Sequence, residues 1–92
     1  MMALLDLIGR RWTLRVLWEL RGGEPQTFRE LQKRCDGMSS SVLAQRLAEL
    51  GEAGVVSGSK GSGYTLTDEG DALIAALAPL DSWAQRWAKR SR

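Results

Sequence analysis

The stretch "GMSSSVLAQRLAEL", residues 37–50, holds the side chains best suited to recognition chemistry. Ser39, Ser40 and Ser41 stand in a row, and Gln45 follows Ser41 by four residues. None of them reads as a nucleophile with a base beside it, because the chain contains no histidine. Their chemistry is hydrogen bonding. A hydroxyl donates and accepts, and a primary amide does both side by side, so it can pair with two adjacent atoms on the edge of a flat partner. The neighbouring side chains on this side, Ala44 and Ala48, are short. Leu43, Leu47 and Leu50 repeat on the other side at helical spacing. A helix built this way buries one face and keeps the other slim and uncharged, so a large partner with readable edges can approach it closely.

Charge points the same way. The 92 residues carry a net charge of only +2, but its distribution is uneven. Residues 61–85 contain no Lys or Arg, yet hold Asp68, Glu69, Asp71 and Asp81. The bases lie earlier (Arg10, Arg11, Arg15, Arg29, Lys33, Arg34, Arg46, Lys60) and at the far end (Arg86, Lys89, Arg90, Arg92). Segregation of this kind favours one positive surface and a polyanionic partner.

Stepping outward along the chain gives the elements that must hold these groups. One helix is expected from Leu4 or Leu7 to Leu20, with Trp12, Val16, Leu17 and Leu20 on one stripe. Leu14 and Trp18 lie on another side, so this helix needs two covers, the second being the C-terminal helix or another subunit. "TFRE" reads as a capping box, Thr27 as N-cap and Glu30 reaching back. It opens a second helix with Phe28, Leu31 and Cys35 inward, ending near Gly37. The third helix starts at Ser39 as cap and fades at Gly51 to Gly54, with Met38 and Leu43 placed as a hydrophobic staple. Val55 and Val56 begin one strand and Tyr64 to Leu66 form another, joined by the glycine-serine tip around Lys60. Thr67 caps a last helix whose first turn is acidic. Leu73, Leu77, Leu80, Ala84 and Trp87 follow at spacings of four and three, a seam that wants a partner helix. Pro79 is expected to kink or split it.

Two short helices joined by a tight glycine-containing turn, then a hairpin, make a winged helix-turn-helix: mainly α with a small β-hairpin. The expected division of the single domain, residues 1–92, is an N-terminal helix (1–21), the helix-turn-helix (27–51), the wing (54–66) and the C-terminal helix (67–90). In that geometry residues 39–51 enter the major groove of double-stranded DNA. Ser39, Ser40, Ser41 and Ala44 sit at its leading end. Gln45 is the candidate base reader, matched to N6 and N7 of adenine. Arg46 is expected at the flank, within reach of a phosphate or a guanine, and Lys60 at the wing tip. Arg29, Lys33 and Arg34 are expected on backbone phosphates, which set register rather than sequence.

The segments "IGRRWTLRVLWEL", "TFRELQKRCDGMSSSVLAQRLAELGEAGVV", "YTLTDEG" and "LAPLDSWAQRW" resemble the HxlR-type, MarR-related winged-helix regulators of bacteria. The resemblance covers residues 8–87. It rests on Trp12, Phe28 with Leu31, Gly37 to Ser39, Gly54 to Val56, and Tyr64, Leu66, Thr67 and Gly70, in order. It implies a homodimeric transcription factor, with the first and last helices forming the interface, and a repressor is the expected action. On that reading Leu5, Ile8, Leu14, Trp18, Leu73, Leu77, Leu80, Trp83 and Trp87 are the interface candidates. Two recognition helices would then sit about 34 Å apart on a pseudo-palindromic operator. Many members of that family sense electrophiles or oxidants through a cysteine ahead of the first helix; this chain has none there, and its wing is short.

The single cysteine, Cys35, excludes an internal disulfide and fits a reducing cytoplasm. At an apolar helix position it reads as packing, with a thiol switch as the alternative. The four tryptophans read as core and dimer contacts, with an aromatic ligand pocket as the alternative. The opening "MMALLDLIG" lacks a basic n-region, so it is not read as a signal peptide, and no stretch reaches membrane-spanning length. No metal or cofactor is expected, an effector is left unidentified, and nothing suggests an enzyme. The competing function is a winged helix used only for protein–protein contact.

Overall fold

A computed structural model describes residues 1–90. Its elements run α1 (Met2–Ile8), α2 (Thr13–Leu20), α3 (Phe28–Arg34), α4 (Ser40–Glu52), β1 (Val56–Ser59), β2 (Gly63–Leu66) and α5 (Asp68–Arg90). The strands pair antiparallel, Val56 opposite Leu66 and Ser59 opposite Gly63. This is the winged helix-turn-helix that the periodicity predicts.

The amino-terminal region departs from the expected single helix over residues 1–21. The chain turns between Ile8 and Thr13, and Trp12 adopts a left-handed backbone with φ 77° at the start of α2. Gly9 closes α1 with its N–H on the Leu5 carbonyl. A helix apolar on two sides has to be covered on two sides. Breaking it into two rods lets Leu7 and Trp12 pack against the same core from different directions.

That core gathers Val16, Leu17 and Leu20 of α2, Leu31 and Cys35 at α3, Leu43, Leu47 and Leu50 of α4, and Val55 and Val56 at the wing. Met38 and Leu43, at the two positions of a hydrophobic staple, are both buried in this core. Burying side chains of this size stabilises by roughly 1.5–3 kcal/mol each. The core's main effect on the site is to orient α4: its leucines point inward, so the opposite face must point out.

Caps fix where the helices begin. The Thr27 hydroxyl accepts from the Glu30 N–H at 3.1 Å and the Glu30 carboxylate accepts from the Thr27 N–H at 2.9 Å, closing the capping box. Ser39 Oγ accepts from Val42 N–H at 3.2 Å. Thr67 Oγ1 accepts from Gly70 N–H and donates to the Gly54 carbonyl, tying α5 to the base of the wing. Gly37, φ 88°, supplies the left-handed residue of the turn between α3 and α4. Gly70 has a different reason: a Cβ there would lie 2.1 Å from the Val55 carbonyl oxygen.

α5 runs unbroken through Pro79, against the expected split. A proline removes one backbone donor, and here it lies at an exposed position among Ala75, Ala76 and Ala78, strong helix formers that carry the rod past it. No helix among the described residues is long and apolar enough to cross a membrane.

Candidate nucleic-acid interface

Burial divides α4 into stripes. Leu43, Leu47 and Leu50 are inward. Ser40, Ser41, Ala44, Gln45 and Ala48 are exposed. Val42, Arg46 and Glu49 form a half-buried flank between the two. The exposed stripe begins at the helix N-terminus, where backbone N–H groups and the helix dipole favour an anion.

The serines share partners. Gln32 of α3 donates from Nε2 to Ser40 Oγ at 3.0 Å and to the Met38 carbonyl at 3.4 Å. Ser39 and Ser41 lie hydroxyl to hydroxyl at 3.3 Å. Ser39 is thereby a cap, while Ser40 and Ser41 stay at the surface. Gln45 is exposed one turn further on, and its amide makes no hydrogen bond to any described residue.

Arg46 departs from expectation. Its Nε lies 3.0 Å from Glu49 Oε1, and its side chain is only 11% exposed. Glu49 Oε2 is also approached at 3.3 Å by Nε of Arg10, from the turn between α1 and α2. The Arg46–Glu49 contact is an ion pair without hydrogen-bond alignment; neither Nε nor Oε1 has a hydrogen-bond partner. Arg46 is therefore folded back along the helix rather than extended to a phosphate or guanine. An Arg and a Glu three apart attract on any helix surface, and Arg10 approaches the same carboxylate from the solvent side.

Lys60 stands at the wing tip, as expected. The hairpin's second strand is stitched to the segment before α3, Gln26 N–H to Tyr64 O at 3.0 Å and Tyr64 N–H to Gln26 O at 2.7 Å. The wing tip therefore lies by α3, and Lys60 Nζ stands 4.7 Å over the Phe28 ring. Its charge is at the surface but is engaged in a cation–π contact.

Arg29, Lys33 and Arg34 are exposed along α3. The backbone of Arg34 is held from below by Arg15, whose guanidinium donates to the Arg34 carbonyl at 2.9 Å and pairs with Glu19 at 3.0 Å. Cys35, beside this contact, is fully buried. Burial pushes its thiol pKa up, and the Glu19 carboxylate adds to the rise. Glu30 moves the other way: the Thr27 backbone N–H and hydroxyl hold its carboxyl below the usual range.

The interface candidates fall into two groups. Leu5, Leu14, Leu80, Trp83 and Trp87 are exposed, and the last two stack with ring centroids 6.0 Å apart. Leu14, Trp18, Leu77 and Leu80 line a groove between α2 and α5. Ile8 is half-buried. Leu73 instead packs against the core, because it falls where α5 still crosses the body. Arg92, part of the basic tail, lies outside the described residues.

The sequence reading did not find Arg10, Gln32 or Gln26 as site-building residues. The Arg46 and Glu49 spacing of three was visible. The reach of Gln32 to Ser40 and of Arg10 to Glu49 depends on helix packing and left no signal in local pattern.

A model of HxlR-like helix-turn-helix proteins matches residues 7–92. The chain is 33% identical over 89 residues to the HTH-type transcriptional regulator YvaP of Bacillus subtilis, covering 90% of this chain and 82% of that protein. The quinone-bound structure of YodB from B. subtilis superposes with a TM-score of 0.83 at 32% identity, over 92% of this chain and 93% of that one. A possible HxlR family transcriptional factor from Thermoplasma volcanium superposes with a TM-score of 0.82 at 27% identity, over 92% of this chain and 81% of the other.

Proposed function

This chain belongs to the HxlR-like helix-turn-helix family of transcriptional regulators, and from that premise we propose that it binds a specific double-stranded DNA site as a homodimer and represses transcription by occupying it. The observation that carries the reading is the exposed stripe of α4. Ser40, Ser41, Ala44, Gln45 and Ala48 are small or amide-bearing and open to solvent, beside a helix whose bases face outward.

The roles follow from chemistry. Short side chains let the α4 axis lie deep in a major groove. Ser40 and Ser41 bond phosphate or base edges, and Gln45 presents donor and acceptor together to adenine. Arg29, Lys33 and Arg34 on α3 face the sugar–phosphate backbone, neutralising charge without reading bases. The apolar residues Leu5, Leu14, Leu80, Trp83 and Trp87 meet a second copy, which sets two α4 helices against two half-sites. Repression by occupancy needs only this surface.

The test is a salt titration of binding to genomic duplex fragments. The reading expects log affinity to fall linearly with log salt, with a slope near −0.9 per phosphate contact. Binding that is absent, or indifferent to salt, contradicts it and favours a module for protein contact.

A further inference from the structure

We propose that Glu49 is a specificity-determining residue: its carboxylate withholds Arg46 from the DNA backbone. The inference rests on the reading that the exposed stripe of α4 faces a duplex.

Residues 42, 46 and 49 lie on one line of α4, immediately beside the stripe that carries Ser41, Gln45 and Ala48. An arginine on that flank is long enough to swing from the protein surface to the wall of the groove. Contact with the backbone there would add affinity for every sequence alike, since phosphates carry no base identity. The molecule instead keeps Arg46 almost covered, with Nε 3.0 Å from Glu49 Oε1. Arg10 approaches the other carboxylate oxygen at 3.3 Å and anchors Glu49 to the α1–α2 turn. The anchor matters: a free glutamate would follow Arg46 outward, whereas a tethered one holds it back.

Charge is what restrains Arg46. Its Nε makes no aligned hydrogen bond to Glu49. Neutralising the carboxylate therefore frees the guanidinium while leaving the leucine stripe of α4 intact. It also leaves Arg46 largely covered and unpaired, which drives it toward solvent or toward an anion.

A role confined to joining the α1–α2 turn to α4 makes a different prediction. E49Q removes one negative charge whatever Arg46 does, so a gain that E52Q, the same charge change at an exposed site of α4, reproduces is general electrostatics and overturns the proposal. A withheld arginine, once released, gives a gain that E52Q lacks and that R46Q abolishes.

The experiment compares wild type with E49Q, E52Q, R46Q and the double variant R46Q/E49Q. Each is titrated with salt against a non-specific duplex and against a bound genomic fragment, after a thermal melt has checked folding. E49Q is expected to bind the non-specific duplex severalfold more tightly, with a log–log slope steeper by about 0.9, one added contact. The ratio of specific to non-specific affinity falls. R46Q alone keeps the wild-type slope, and the double variant returns to it. An E49Q slope equal to or shallower than wild type overturns the proposal, as does an R46Q slope shallower by one contact, which would mean that Arg46 already touches DNA. If E49Q does not fold, E49A takes its place, with the same expected and contradicting slopes. A wild-type chain with no salt-dependent binding overturns both readings, whereas normal wild-type binding with an unchanged E49Q slope overturns this one only.

Discussion

At the scale of single residues, the surface and the core use polar groups in opposite ways. Lys33 is exposed on α3, so on the proposed reading its contribution to DNA binding is charge alone. Lys33→Ala should weaken binding to all duplexes about equally and make the salt slope shallower by about 1; a change confined to one operator would contradict the phosphate role. Cys35 is the reverse case. It is fully buried and its pKa is raised by burial, so its thiol reads as packing rather than as a switch. A raised pKa means that stability is whole below the ordinary thiol range and is lost as pH climbs through the folded value. Alkylation of the native protein near pH 8 should be slow and become complete only in denaturant; rapid stoichiometric labelling would count against this. Cys35→Ser should destabilise by about 1–3 kcal/mol, measured by urea unfolding, because its hydroxyl would be buried without water. The capping box is sensitive at the other end of the scale. Glu30 is held below the usual carboxylate range, so its support of α3 is present at neutral pH and fades as pH falls through that lowered value.

At the scale of elements, the helix starts that residues 27–52 encode locally were legible without a structure, whereas α3 ends at Arg34, with Cys35 as its cap, short of the end expected near Gly37. Thr27 with Glu30, and Ser39, are instructions written within a few residues of where they act, and the caps form as they imply. The wing was legible for the same reason, from its glycines and its paired apolar ends. Two elements were not. The break between α1 and α2 depends on Trp12 taking a left-handed conformation to reach the core, a demand of packing rather than of local preference. The continuity of α5 through Pro79 depends on its alanine-rich surroundings outweighing one lost hydrogen bond. The candidate site divided along the same line. The open stripe of α4 followed from its period, whereas the capture of Arg46 by Glu49 and Arg10 joined residues from separate elements. Packing between elements also sets the next expectation. Gly70 admits no side chain because the Val55 carbonyl stands 2.1 Å from where a Cβ would be. Gly70→Ala should cost about 1–3 kcal/mol by forcing α5 away from the wing, despite alanine's better helix propensity. A melting temperature equal to or above wild type would show that the approach relaxes freely.

At the scale of the whole molecule, the unsatisfied feature is apolar rather than charged. Leu80, Trp83 and Trp87 are each about half exposed along the outer part of α5, and Leu14 borders the same groove. Exposed side chains of this size gathered on one face mark an interaction surface. On the proposed reading a second copy provides a matching face, which would place two α4 helices on one duplex. Trp87→Ala should shift the sedimentation profile toward monomer and weaken operator binding together; an intact dimer would remove Trp87 from the interface. The central claim remains that the slim stripe of α4 reads bases. The most direct measurement is a selection from randomised duplexes, bound by wild type and by Gln45→Ala in parallel. The account predicts that the variant loses preference at one base pair of each half-site, by about 1–3 kcal/mol, and keeps the rest of the profile. A profile identical to wild type at every position would contradict it.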